Sequence, residues 1–224
     1  MQTRNQRNLD EHLEELYQSL LKMGSLVEES IKKSTYAFLS YDKEMASEVK
    51  NSDKEINDLE ITIDKKCEAI FALFQPVASD LRLVMVALKI NNDLERIGDM
   101  ATSIASKLIS PEITEKFPEE IDIEKMCMLT QQMLKDALNS FVNKDEKLAS
   151  AVILSDEQIN NLKRKTFKRL IPFIEANPEK AKQSVKLILV ARTLERIADL
   201  STNIAEEVIF LTQAKIVKHH HNPL

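Results

Sequence analysis

Glycine is almost missing from this sequence: two residues in 224, beside six prolines and no tryptophan. A sheet protein of this length needs many tight turns, built from Gly, Asn, Asp and Pro at defined positions. A β-sandwich is therefore excluded. So are a dinucleotide-binding α/β domain and a phosphate-cradling loop, which need clustered glycines where Gly24 and Gly98 stand alone. Cysteine is scarce too. Cys67 and Cys127 lie 60 residues apart and form no CxxC pair, which points to reduced, buried thiols rather than a disulfide or a metal site. There is no large excess of either charge: 36 acidic against 31 basic residues give −5, which is no electrostatic footprint for nucleic acid. The longest run without Asp, Glu, Lys or Arg is Ala69–Ser79, eleven residues broken by Pro76 and too short to span a bilayer. Met1–Asn5 leads directly into a charged amphipathic pattern with no secretory signal, so a cytoplasmic location is expected.

What the chain does contain is helical periodicity. Leu9, Leu13, Leu16, Leu20, Met23, Val27 and Ile31 alternate steps of three and four and predict a helix over about 6–39. Asp42 is placed to cap a second helix, with a stripe at Met45, Val49, Ser52, Ile56, Leu59, Ile63, Cys67 and Ile70, ended by Pro76. A third starts near Asp80 and carries Leu83, Ala87, Ile90, Leu94, Gly98, Ala101, Ala105 and Leu108. Pro111 and Pro118 bracket a linker, and three more helices are expected over about 120–142, 145–175 and 178–214.

The two halves repeat each other. A shift of 100 aligns Leu94-Glu95-Arg96-Ile97-Gly98-Asp99 with Leu194-Glu195-Arg196-Ile197-Ala198-Asp199, nine identities in sixteen positions over 94–109. A shift of 103 aligns Asp42–Leu59 with Asp145–Leu162, nine in eighteen. The fold class expected is all-α, a tandem repeat of two antiparallel three-helix bundles, residues 1–112 and 113–214, with a tail at 215–224.

Glu95 and Asp99, and again Glu195 and Asp199, are four apart and so share a helix face. At about 100° per residue they fall roughly 100° and 140° from Leu94, on the shoulder of the apolar stripe. Asp53, Asn57, Glu60 and Asp64 hold a similar position on the second helix, within about 100–160° of Leu59. Like charges at i, i+4 cost a helix about 0.2–0.5 kcal/mol per pair. Oxygen ligands clustered without His or Cys suit hard cations. The competing reading is a solvated acidic face neutralised by Arg96 and Arg196. Gly98 and its counterpart Ala198 are small and lie on the apolar stripe, which suggests close helix approach beside the acidic pair.

Gln75-Pro76-Val77-Ala78-Ser79-Asp80-Leu81-Arg82, Asp93-Leu94-Glu95-Arg96-Ile97-Gly98-Asp99 and Ala191-Arg192-Thr193-Leu194-Glu195-Arg196-Ile197-Ala198-Asp199 closely resemble the PhoU family, over essentially residues 5–212. The resemblance implies two similar three-helix bundles and a non-enzymatic cytoplasmic regulator of phosphate uptake and phosphate-starvation signalling. It implies contacts with the ATPase subunit of the phosphate ABC transporter and with a sensor histidine kinase, negative regulation of both when phosphate is plentiful, and a homodimer. It further implies metal ions (Mg, Mn, Fe, Zn or Ca) held by Glu95, Asp99, Glu195 and Asp199 on the third helix of each half, by Asp53, Glu60 and Asp64 in the first half and by Asp156 in the second. Asn57 and Asn160 stand where the family pattern usually has Asp, keeping an oxygen but losing a charge. The counterparts of Glu60 and Asp64 are Lys163 and Phe167, so tighter metal binding is expected in the first half. Arg82, Arg96, Arg192 and Arg196 are candidates for contacts with an anionic partner or for ion pairs with the nearby carboxylates.

Two other readings stay open at this point: a helical adaptor, divergent or purely structural, whose acidic faces serve only solubility, and a carboxylate-bridged di-iron enzyme. The enzyme needs Glu three residues before His on two helices, and none of His12, His219, His220 and His221 has one. The histidines of the tail offer either an adventitious transition-metal site or a frayed terminus.

Overall fold

The computed structural model describes residues 2–113 and 121–214, with side chains from Arg7 onward; Pro118 and the tail histidines lie outside the described residues. The described residues form six long helices: α1 Gln2–Ser40, α2 Lys43–Phe74, α3 Ala78–Ile109, α4 Ile123–Asn143, α5 Glu146–Ala176 and α6 Ala181–Gln213, with a 3-10 turn at Pro178–Lys180 before α6. No strand occurs among the described residues. The α1 stripe is buried at all seven predicted positions. Asp42 caps α2 by accepting from the Met45 amide at 2.9 Å, and its repeat counterpart Asp145 caps α5 from the Lys147 and Leu148 amides at 3.0 and 3.1 Å. The opposite helix ends show what glycine scarcity costs. Tyr41, Gln75, Lys144 and Ala214 all take the left-handed conformation, with φ of 62°, 48°, 51° and 56°, at about 1–2 kcal/mol each for a residue with a Cβ.

Helices α1–α3 pack together as one bundle and α4–α6 as a second, joined mainly by α3 against α6 and less by α1 against α4. Between the bundles Tyr17 donates from its hydroxyl to the Val142 carbonyl at 3.1 Å, and Gln131 donates to Thr35 Oγ1 at 2.6 Å. The α3–α6 contact gives those two helices a second buried face that one apolar stripe does not reveal. On α3, Val86, Asp93 and Met100 are buried and Lys107 is half-buried; on α6, Thr193, Leu200 and Glu207 are buried and Lys186 is half-buried. Each set is spaced by seven, and each α6 residue lies 100 positions after its α3 counterpart. Glu207, only 2% exposed, accepts from the Lys89 ammonium at 2.8 and 3.0 Å. The sequence reading also needs adjustment on α2. Ser52 is exposed and satisfies its hydroxyl on the Val49 carbonyl, Leu59 is half-buried, and Ala46 enters the core instead. Cys67 and Cys127 are free and buried, and burial pushes both thiols up to about 12.

Lys144→Gly is expected to stabilise the protein by about 1 kcal/mol in urea denaturation, since the exposed αL position no longer carries a Cβ. Lys89→Met is expected to cost about 2 kcal/mol at neutral pH, because it withdraws the ammonium from a buried carboxylate while the partly exposed lysine end limits the loss.

Candidate metal centre

In the first bundle, α2 and α3 bring the predicted ligands to one groove. The apolar centre of α2 runs through Ile56 and Ile63, so Asp53, Asn57, Glu60 and Asp64 lie only about 40–100° from it, nearer the core than Leu59 suggested. All four are half-buried, as is Glu95, while Asp99 reaches further into solvent. Gly98 is where the helices come close. A Cβ there would meet Ile56 Cδ1 and Cγ2 at 3.2 and 3.3 Å, and would stand 3.9 Å from Asp53 Oδ1. Thr102 on α3 donates to Asp53 Oδ1 at 3.2 Å, and Asn57 donates to Asp53 Oδ2 at 3.3 Å. Asn91 ties α3 to the other end of the ladder, donating to Asp64 Oδ1 at 2.9 Å and to the Glu60 carbonyl at 3.1 Å.

The electrostatics of this groove are one-sided. Burial, followed by the charges of Asp99, Glu60 and Asp53, holds the Glu95 carboxyl above the usual carboxylate range, against a smaller opposing effect of Arg96. Burial and Asp53 raise Asp99 in the same way. Arg96 turns to Asp93 at 3.8 Å instead of closing on Glu95. Among the described residues, none of Asp53, Glu60, Asp64, Glu95 and Asp99 makes an ion pair with a lysine or arginine. Asn57 Oδ1 is buried without a hydrogen-bond donor. A groove of uncompensated carboxylates with a spare amide oxygen has the chemistry of a hard-cation site. Its side chains are nonetheless spread along the groove: among the described residues, no three His, Cys, Asp or Glu side chains converge closely enough to hold one ion.

The second bundle is built differently. Asp156 and Asp199 lie close enough for Asp156 to raise the Asp199 carboxyl. Burial leads, then Glu195 and Asp156, in pushing the Asp199 carboxyl up to about 6, with Lys163 opposing. Asn160 donates to Asp156 Oδ2 at 2.9 Å, as Asn57 does to Asp53. Lys163, which replaces Glu60, places its ammonium 2.6 Å from Glu195 Oε1. Phe167, which replaces Asp64, packs against the hydrophobic core. Asp156 Oδ1 and Thr202 Oγ1 are both buried without partners, whereas their counterparts Asp53 and Thr102 bond each other.

The four arginines do not gather at one place. Arg82 is half-buried in the first turns of α3 with its Nε buried and unbonded, while Arg96, Arg192 and Arg196 are exposed along α3 and α6. Thr102 and Asn91 are site residues that the acidic spacing did not single out. Both lie on the Glu95–Asp99 face, at i−4 from Glu95 and i+3 from Asp99, so scanning that face for hydroxyl and amide side chains would have found them.

Asp199 sets a pH dependence of known sign. Its folded carboxyl titrates at about 6, above the ordinary value of 3.8, so the native state binds the proton more tightly and stability falls as pH rises from about 4 to 6. Asp199→Asn is therefore expected to raise the melting temperature at pH 7.5 and to leave it nearly unchanged near pH 4. Solvent screening of this exposed side chain keeps the gain at about 1 kcal/mol or below, and thermal unfolding across pH measures it.

The family described as the PhoU domain matches residues 20–108 and again 123–208. A phosphate-specific transport system accessory protein PhoU homolog of Aquifex aeolicus is 37% identical over 213 residues, 95% of this chain and 96% of that protein. The homolog of Pseudomonas putida is 36% identical over 92% of this chain and 81% of that protein. Among solved structures, PhoU from Pseudomonas aeruginosa superimposes with a TM-score of 0.89 at 33% identity, over 92% of this chain and 99% of that one. The phosphate transport system regulatory protein PhoU from Streptococcus pneumoniae gives 0.84 at 32% identity, over 94% and 99%. Two tandem family matches, relatives sharing about a third of their residues over nearly the whole chain, and a common six-helix architecture place this chain in the PhoU family.

Proposed function

We propose that this protein is a cytoplasmic accessory regulator of phosphate-specific transport, acting as a helical adaptor and not as an enzyme. Its partners in this reading are the ATPase subunit of the phosphate ABC transporter and the sensor histidine kinase that reads the transporter's state, with a homodimer as the working unit. The observation that carries the proposal is likeness along nearly the whole chain to proteins named as accessory proteins of phosphate-specific transport. No helix among the described residues is long and apolar enough to cross a membrane, so association with a membrane transporter would run through partners. The exposed Arg96, Arg192 and Arg196 of α3 and α6 are among the side chains that would meet an anionic partner surface.

The first-bundle groove is the proposed cation site. Glu95 and Asp99 from α3, with Asp53 and Glu60 from α2, would hold a divalent ion. Asn57 offers its unused oxygen, and Thr102 and Asn91 fix the carboxylates they touch. A bound ion supplies positive charge to a groove that has none of its own. The separation of the ligands favours an ion such as Mg²⁺ or Mn²⁺ that keeps several waters. The same separation favours, as a second reading, an adaptor that needs no metal.

Affinity capture from membranes of its host, grown phosphate-replete and phosphate-starved, is expected to recover the transporter ATPase and a sensor kinase in a phosphate-dependent manner. Recovery of neither would remove the coupling to phosphate. Calorimetric titration with Mn²⁺, Mg²⁺ and Fe²⁺ is expected to show binding that Glu95→Ala combined with Asp99→Ala reduces at least tenfold. Unchanged binding in that variant would favour the metal-free adaptor.

A further inference from the structure

The second bundle carries the same helix scaffold, yet its acidic groove already contains a cation. The position that is Glu60 in the first bundle is Lys163 here, and its ammonium lies 2.6 Å from Glu195 Oε1, with 23% and 19% of the two side chains exposed. The pair is thus largely withdrawn from water, where an ammonium–carboxylate contact is far less screened than at the surface. On the same groove, Asn160 occupies Asp156 Oδ2, and the Asp64 position is given over to Phe167 packed on the core. The ligand set has therefore lost two carboxylates, and a divalent ion approaching those that remain would meet a fixed like charge. The residues present do not fit a metal.

We propose that the Lys163 ammonium is a resident cation that takes, in the second bundle, the place a metal ion takes in the first, so that the chain loads metal in one bundle only. This deepens the metal reading above, and the experiment separates the two. The full-length protein is compared with Lys163→Glu, Lys163→Met and the Glu195→Ala, Asp199→Ala double variant. Bound Mn²⁺ per chain, thermal unfolding in EDTA and in Mn²⁺, and hydrogen exchange of α5 and α6 are measured, with circular dichroism to establish folding.

The double variant is expected to keep the Mn²⁺ stoichiometry of the parent. Lys163→Glu restores the carboxylate found at the Glu60 position. It is expected to bind additional Mn²⁺, to melt roughly 5 °C higher at a hundredfold excess over Kd than in EDTA, and to show Mn²⁺-dependent protection of α5 and α6 absent from the parent. Lys163→Met is expected to melt lower than the parent in EDTA, because Glu195 then stands without its cation. Loss of bound metal in the double variant overturns the proposal. So does a folded Lys163→Glu that binds no more Mn²⁺ than the parent, and so does a Lys163→Met that melts with the parent in EDTA. A parent chain that binds no Mn²⁺ refutes the first-bundle reading alone, because the gain in Lys163→Glu and the loss in Lys163→Met still decide the role of the lysine.

Discussion

The contact between α3 and α6 governs the rest of the molecule. Each of these helices must bury one face in its own bundle and a second face toward the other bundle, which leaves only a narrow strip for chemistry. The carboxylates occupy the edge of that strip beside α2 or α5, Glu95 and Glu195 half-withdrawn from solvent and Asp99 and Asp199 reaching out of it. Burial is accordingly the largest influence on the titration of Glu95, Asp99, Asp156 and Asp199 alike. The same charges placed on the fully solvated face of a surface helix would cost little and attract little.

A groove of this kind has to manage the repulsion between its own acids, and the two bundles manage it in different ways. In the second, the remedy is internal: an ammonium on Glu195. In the first, neutral donors from Asn57, Asn91 and Thr102 hold Asp53 and Asp64 in place while leaving their charge intact. Fixing acids without neutralising them preserves a potential that an external cation can use. The contrast rests on few substitutions, chiefly Glu60 against Lys163 and Asp64 against Phe167.

Much of this was legible in the sequence, because helix periodicity and internal duplication are local or one-dimensional signals. The seven-position stripe of α1, the Asp42 cap and the close approach at Gly98 follow from spacing and residue size. The second buried face of α3 and α6 was not legible. Its residues include Asp93, Thr193 and Glu207, whose polarity hides a buried stripe from any hydropathy pattern. The exposure of Ser52 was missed for a related reason: a serine can satisfy itself on the preceding turn at either a buried or an exposed position. The left-handed helix ends at Tyr41, Gln75 and Lys144 gave no signal, since the glycine that normally marks them is absent. The bond from Lys163 to Glu195 depends on how α5 lies against α6, which no single-helix pattern contains.

The seven-residue spacing on α3 and its repeat 100 residues later on α6 is the arrangement an isologous contact between two identical three-helix units would use. A symmetric pair of separate chains must make every contact twice, so a change that helps one side is imposed on the other. Fusion removes that obligation. Lys89 meets Glu207, whereas the positions equivalent by the repeat are Leu189 and Lys107. The two copies differ at their mutual boundary and in their acidic grooves alike, so the two halves of the chain are not interchangeable to anything that docks on them.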